Sequence, residues 1–516
     1  MDQHLQKAPV ETPETALKRG RLGIFGIVFF VVAAAAPLVG TTGAVPAAIV
    51  LGNGAGVPGA YVLIGAVLIL FSFGYAAMSH RVTNAGAFFA YVGRGLGTGP
   101  GVGSAFVSIV GYLAIQMSIF GFFGALVSGQ MSATFGIDLA WYWWVLIAWV
   151  AVTGLSLLSV DVGAKLLGVL MLLEVLALLV MAVSVFAVGG PQGVDFAASF
   201  APANVLVGGL TGTAGIALAF AFASYIGFEA TAIYGEEAKD PKRTVPYATY
   251  VAVILITLLF GFVTFAIVTA LGSDSVVDRV VEISAVDGVP LTNPAAVAFG
   301  VAEEYVGEFL GEWAGSFVST TMEWLVLSSL FAGLLAFQNS AGRYLYSMGR
   351  AGVLPTALDR VNGRGAPAAG SVTASVITGV VMLWFVLTDK DPVVNLFFWN
   401  STLAVLGLAI VEILVSVAVI VYFRRTKQDT RVWHTLVAPV LAIIGLSVAV
   451  WLLMSRFGLL AGTVAEGVDP TQQAWGLNVT GWVLVLLPFV AFVVGWVVGV
   501  LRTGRENEDL VKDLVN

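Results

Sequence analysis

From Leu22 to Ser79 the sequence carries no charged side chain. A helix needs about 20 apolar residues to cross the hydrocarbon of a bilayer, so this run is too long for a single crossing. The neutral turn Gly52–Pro58 divides it into two expected helices, roughly 22–50 and 57–79. A chain that opens this way cannot bury such helices in water alone. The bilayer has to be its solvent.

The remainder repeats the pattern. Of the 516 residues 59% are hydrophobic and 11% charged, and the mean hydropathy is +0.95, whereas an average soluble domain carries about 25% charged residues. Further spans are expected at about 99–129, 140–160, 163–189, 209–235, 246–272, 321–348, 370–388, 393–423, 433–456 and 476–501, which makes twelve in all. The 60 glycines fit, because small residues let helices approach closely in lipid. With the N-terminus inside, 21 of the 24 basic residues fall on inner segments, and only Arg279, Lys390 and Arg456 fall outside. That asymmetry is the one expected of cytoplasmic loops, and one missing or extra span would invert it.

Several chemistries are excluded early. There is no cysteine, so disulfides, iron–sulfur clusters and thiolate zinc sites are ruled out. The three histidines, His4, His80 and His434, avoid the deep apolar runs, where a membrane metalloenzyme would need them. No enzyme activity, cofactor, bound metal or nucleic-acid partner is therefore expected. The net charge of -7 says little about partners, since the acids sit mostly in one outer segment, about 273–320. There Asp274, Asp278, Glu282, Asp287, Glu303, Glu304, Glu308 and Glu312 face a single arginine, and Asn293–Phe309 reads as a short helix over the mouth. Residues 1–20 are polar, without an apolar core, and read as a cytoplasmic tail rather than a cleaved signal peptide.

Two spans carry breaks. The first contains Ala36-Pro37-Leu38-Val39-Gly40-Thr41-Thr42-Gly43 and then Pro46; the sixth contains Ser224-Tyr225-Ile226-Gly227-Phe228-Glu229. Proline removes a backbone donor and glycine eases departure from helical dihedrals. Backbone freed in hydrocarbon is tolerable only where it lines a cavity or binds something. Interrupted helices at matching positions are the best sequence pointer to a transporter's binding site. A half-helix N-terminus offers N–H groups to a carboxylate, and freed carbonyls accept from an ammonium or hold a cation. A zwitterionic amino acid presents both charges.

Four segments add specificity. Gly227 to Pro246, GFEATAIYGEEAKDPKRTVP, resembles the sixth span and following loop of the amino acid–polyamine–organocation permeases. So do NAGAFFAYVGRGLG (Asn84 to Gly97), NSAGRYLYSMGRAGVLP (Asn339 to Pro355) and the YFRR of Tyr422 to Arg425, in the expected order. The resemblance covers roughly residues 20–500 and implies an all-α membrane protein of LeuT-like fold. Its twelve helices would form a five-plus-five inverted repeat, about 21–190 and 205–423, with two extra helices over 433–501. That transporter domain, 21–501, would be followed by a cytoplasmic tail, 502–516. It implies substrate held between broken helices one and six, with helices three, eight and ten around them. The family's first-helix pattern, a small-residue run ending Gly-Ile-Phe, is replaced here by Gly-Thr-Thr-Gly-Ala-Val-Pro. On this basis the expected substrate residues are Leu38, Val39, Gly40, Thr41, Thr42, Gly43, Gln116, Phe222, Ser224, Tyr225, Ile226, Gly227 and Asn400. Tyr112, Phe397 and Trp399 are expected to help shape the pocket.

Three glutamates lie deep in apolar spans: Glu174, Glu229 and Glu412. An ionisable group at such depth costs about 2.5–3.5 kcal/mol on insertion scales and marks function by default, and no base is expected at comparable depth. Glu174 follows Lys165 by about 13 Å along the helix and half a turn around it, so the two are not same-face partners. Many relatives have a lysine in the fifth span whose ammonium fills the place of a sodium ion, and Glu174 falls at about that position. The expected role is to bind a coupling proton, or to help hold a cation with Ser328 and Ser329. Glu229 is expected to brace the sixth-helix break, and Glu412 to act between helices. Glu236, Glu237 and their basic neighbours are expected to pair with Arg81 or Arg350 as an inner gate. The whole reads as a multi-pass plasma-membrane carrier of amino acids, proton-coupled, with sodium coupling, exchange, a polyamine or amine substrate and a ligand-sensing membrane protein as the alternatives.

Overall fold

The computed structural model describes residues 20, 23–82, 87–158, 161–209, 212–286, 288–470 and 473–503, although the side chains of Phe30, 161–167, Glu236 and 502–503 lie outside the description. Most of both tails, Asn84 to Gly86 of the second resembling segment, Asp287 and the Lys165 side chain thus fall outside it. The described residues are helical and contain no strand, only two isolated bridges.

The first helix, α1 (Ile24–Ala35), stops at Ala36, whose backbone is left-handed at φ 44°, directly before Pro37. The chain then resumes as short α- and π-helical turns over residues 37–53, the π turns being Gly40–Ala44 and Ile49–Asn53. Gly52 is non-helical and turns the chain into α2 (Val57–Ser79). There follow α3 (Phe88–Leu96), α4 (Thr98–Phe135), α5 (Trp141–Ser156) and α6 (Asp161–Val188). The second break separates α7 (Ala214–Tyr225) from α8 (Ala230–Ile233), and α9 (Pro241–Leu271) comes next. The acidic segment folds into α10 (Val276–Ser284) and α11 (Ala295–Leu310), so the helix expected over 293–309 does form. The rest is α12 (Glu312–Arg350), α13 (Ala368–Leu387), α14 (Phe398–Thr426) entered through a π turn at Pro392–Phe397, α15 (Ala438–Ser455) and α16 (Val479–Thr503).

Ten helical runs among the described residues are long and apolar enough to cross a membrane, against twelve expected. The first run, Ile24–Ser79, spans 56 residues and includes the kink at Gly52. The apolar helix α5, with 16 residues, is shorter than these ten.

Burial sorts the helices into a centre and a shell. In the apolar window of Ala214–Ile233, 94% of residues are buried, against 28% for Val479–Leu501. The broken sixth segment is therefore the axis of the molecule. The helix α4 packs against α3, α12, α14 and α16, while α9 packs against α1, α2 and α6. Large apolar side chains such as Ile147, Leu172, Val493 and Val497 point outward from the shell. In water such a surface would aggregate; in lipid it is the favourable face.

Candidate functional site

The site begins with two interruptions. At Ala36 the amide N–H still bonds Val32 O (3.0 Å), and Gly40 N–H bonds Ala36 O (3.0 Å). Pro37 has no N–H to offer Ala33, and the left-handed turn misaligns the next pair. Among the described residues, the N–H groups of Leu38 and Val39 and the carbonyls of Ala34 and Ala35 find no hydrogen-bond partner. A positive half-helix end and a negative one thus meet at one point. The interruption lies at the head of the Ala36–Gly43 segment rather than across it, so Leu38, Thr41, Thr42 and Gly43 are helical. Thr41 and Thr42 donate their hydroxyls to Pro37 O and Leu38 O (2.8 Å each), which ties them to their own backbone.

In the sixth segment Ile226 is extended (ψ 129°) and Gly227 has φ 113°. Only glycine takes that dihedral without strain, and a Cβ there would lie 2.6 Å from the Ala34 Cβ. Glu229 closes the gap. Its Oε2 accepts from Gly227 N–H (2.9 Å), its Oε1 accepts from Tyr112 O–H (3.0 Å), and its carbonyl accepts from Tyr75 O–H (2.6 Å). The carbonyls of Ser224 and Ile226 have no donor among the described residues.

The two breaks face one another. Gly227 sits against Ala34, and a Cβ on Gly40 would fall 3.2 Å from Ser224 Oγ and 2.6 Å from the Phe260 ring. Between them lies a cavity of about 60 Å³, lined on one side by Ala34, Ala35, Ala36, Val39, Gly40 and Ala44. Its other walls come from α4 (Ile115, Ser118, Ile119), from the sixth segment (Phe220, Ala223, Ser224, Ile226), and from Phe337, Phe397 and Ser401. A water molecule needs roughly 10–15 Å³ on such a measure, so there is room for a small solute group.

Of the residues expected to hold substrate, Val39, Gly40, Ser224 and Ile226 line this cavity. The others do not line it. Tyr225 O–H bonds Tyr61 O (2.9 Å), Asn400 Nδ2 bonds Leu396 O (2.8 Å), and Gln116 Nε2 bonds Gln338 Oε1 (2.6 Å). Phe222 is buried, and Gly43 packs on Phe122. On α4 the cavity is lined by Ser118, which the sequence reading did not single out, and not by Gln116. The helical period carries the signal: Ile115, Ser118 and Ile119 share one face at i, i+3 and i+4, and Gln116 stands about 100° away.

Glu174 is buried at 3% exposure, and its carboxyl interacts with the hydroxyl of Ser329 on α12. Ser328 instead bonds its own backbone at Leu325 O (2.8 Å). Glu412 is equally deep, and its Oε2 has no partner among the described residues. None of the three glutamates lines the cavity.

A base is buried as well, contrary to expectation. Arg343 on α12 is 1% exposed, and its Nε lies 2.7 Å from Glu237 Oε1. Its guanidinium stacks 4.8 Å from the Tyr234 ring centroid. Of the expected partners, Arg81 donates to Gln428 O (2.8 Å) and Arg350 to Tyr346 O–H (3.3 Å), and the Glu236 side chain lies outside the description. Arg343 reaches Glu237 from the buried face of α12, one helical turn after Asn339, whose carbonyl it also meets.

Comparison with known proteins agrees with this geometry. A sequence model described as amino acid permease matches residues 22–487. Over 164 residues the chain is 28% identical to the branched-chain amino acid permease BcaP of Lactococcus lactis, a match covering 32% of this chain and 30% of that protein. Over 221 residues it is 26% identical to cationic amino acid transporter 7, chloroplastic, of Arabidopsis thaliana, covering 42% of this chain and 32% of that one. The matched stretches therefore span less than a third of either relative's length. The fold is similar to that of MhsT in complex with L-phenylalanine, with a TM-score of 0.52 at 16% identity, covering 86% of this chain and 100% of that one. Matched from residue 22 to residue 487, and folded in the LeuT-like way, this chain belongs to the amino acid permease family.

Proposed function

We propose that this protein is a secondary active carrier of amino acids that works by alternating access. One observation carries the reading: unpaired N–H and C=O groups from two facing helix breaks border one cavity at the centre of the bundle. Donors suit a carboxylate and acceptors suit an ammonium, so a zwitterion satisfies both sets at once. The names of the relatives, permeases and transporters of amino acids, support the same substrate class.

The membrane arrangement belongs to this proposal. The run Ile24–Ser79, folding back at Gly52, makes two crossings, and Trp141–Ser156 makes one more. That gives twelve, arranged as two five-helix repeats and two further helices, in the cell membrane with both tails cytoplasmic. The excess of basic residues on alternate segments supports that orientation.

Coupling is assigned to Glu174, whose carboxyl carries the proton beside Ser329. A Glu174→Gln variant in proteoliposomes should lose uptake driven by a pH gradient yet still bind substrate. Unchanged pH-driven uptake removes Glu174 from coupling, and uptake that follows a sodium gradient instead replaces the proton. Carriage itself is tested by counterflow of labelled amino acids. A carrier exchanges internal for external solute; absence of exchange with every amino acid tried leaves a sensor.

A further inference from the structure

We infer that the cavity selects neutral amino acids with apolar side chains over cationic amino acids and polyamines, with Ser118 at the selecting position. This rests on the carrier reading of the same site and names its substrate class.

Among the described residues, none that lines the cavity carries a charge or an amide side chain. The side-chain walls are Ile115, Ile119, Phe220, Phe337 and Phe397, an aliphatic and aromatic surface. None of the three deep glutamates lines the cavity, and Glu229 already accepts from Gly227 N–H and Tyr112 O–H. A second cation, the side-chain ammonium or guanidinium of a basic amino acid or the far amine of a polyamine, gives up water against these apolar walls and gains no counter-charge, which is the costly kind of burial.

Among the described residues three serines line the cavity, and two of their hydroxyls are occupied. Ser224 bonds Phe220 O (3.0 Å) and meets Tyr61 O–H (3.0 Å), while Ser401 bonds Phe398 O (3.2 Å). Ser118 is fully buried, and its Oγ has no hydrogen-bond partner among the described residues. The other four serines of α4 all have partners: Ser104 and Ser108 bond the preceding turn, Ser128 bonds Leu139 O, and Ser132 bonds Asp138. A buried hydroxyl without a partner at a cavity wall is available to whatever enters. Being neutral, it supplies no charge to balance a cation there.

The test is a ranking. Binding of leucine, phenylalanine, lysine and putrescine to the purified full-length protein is measured by thermal shift and by competition in counterflow. The wild type should bind leucine or phenylalanine at least about 100-fold more tightly than lysine or putrescine. Ser118→Asp should narrow or reverse that ratio, and Ser118→Asn, similar in size and neutral, should keep it. Lysine or putrescine binding as tightly as leucine, with counterflow intact, overturns the inference and leaves the carrier standing. An unchanged ranking in a folded, counterflow-active Ser118→Asp protein also overturns it. If that variant does not fold, the wild-type ranking decides alone. Loss of counterflow with all amino acids brings down the carrier reading itself.

Discussion

Replacing Glu229 by alanine should destabilise the protein by about 2–6 kcal/mol, since each of two abandoned buried donors costs about 1–3 kcal/mol. The donors are Gly227 N–H at 2.9 Å and Tyr112 O–H at 3.0 Å, and Glu229 itself is 1% exposed. No water replaces the carboxylate cheaply there, and transport should be lost with the geometry of the break. Glutamine should be tolerated much better. Its amide oxygen accepts from Gly227 N–H, and its amide N–H donates to a Tyr112 hydroxyl that has turned round. Melting temperatures of both variants in detergent, read beside counterflow, settle the matter. Equal melting of wild type and Glu229→Ala would show that the carboxylate is not what holds the break open.

The second large effect is expected at the other buried charge. Arg343 and Glu237 have side-chain exposures of 1% and 6% and lie 2.7 Å apart. Burial leaves little solvent to screen the pair, and removing one partner strands the other. Breaking such a pair costs about 3–5 kcal/mol, whereas replacing both members by apolar residues of similar volume is often neutral. Arg343→Ala and Glu237→Ala should each melt far below the wild type. The double replacement Arg343→Met with Glu237→Leu should recover most of the loss. Arg343→Lys is not a mild change, because the guanidinium also lies over Tyr234 at 4.8 Å and donates to Asn339 O. A double-mutant cycle with no coupling between the two positions would mean that the pair holds nothing together.

The features visible in the sequence and those hidden from it differ in range. Charge-free runs are local, so the helices were readable, with shifts such as α12 beginning at Glu312 rather than 321. Pro37 and Gly227 are also local signals, and each marks a break to within a residue or two. The pocket walls were less readable. Gln116 turns its Nε2 to Gln338 Oε1 and does not line the cavity, while the place of Ser118 in the wall depends on what faces it from other helices. The partner of Glu237 was unreadable for the same reason, since Arg343 is distant in sequence and Arg81 and Arg350 looked equally suitable. Long-range pairing is set by packing, which no local pattern encodes.

The length of α12 has a mechanical consequence. Its 39 residues run without interruption from Glu312 to Arg350, about 58 Å at 1.5 Å per residue, nearly twice the thickness of hydrocarbon at about 30 Å. One end is strapped to α11 through Ser319 O–H and Phe299 O (3.1 Å), and near the other Arg343 grips Glu237. Pivoting such a rod by about 5° sweeps one tip about 5 Å relative to the other. A nudge on the acidic cap at one face of the bilayer is thereby delivered, as leverage, to the ion pair towards the opposite face.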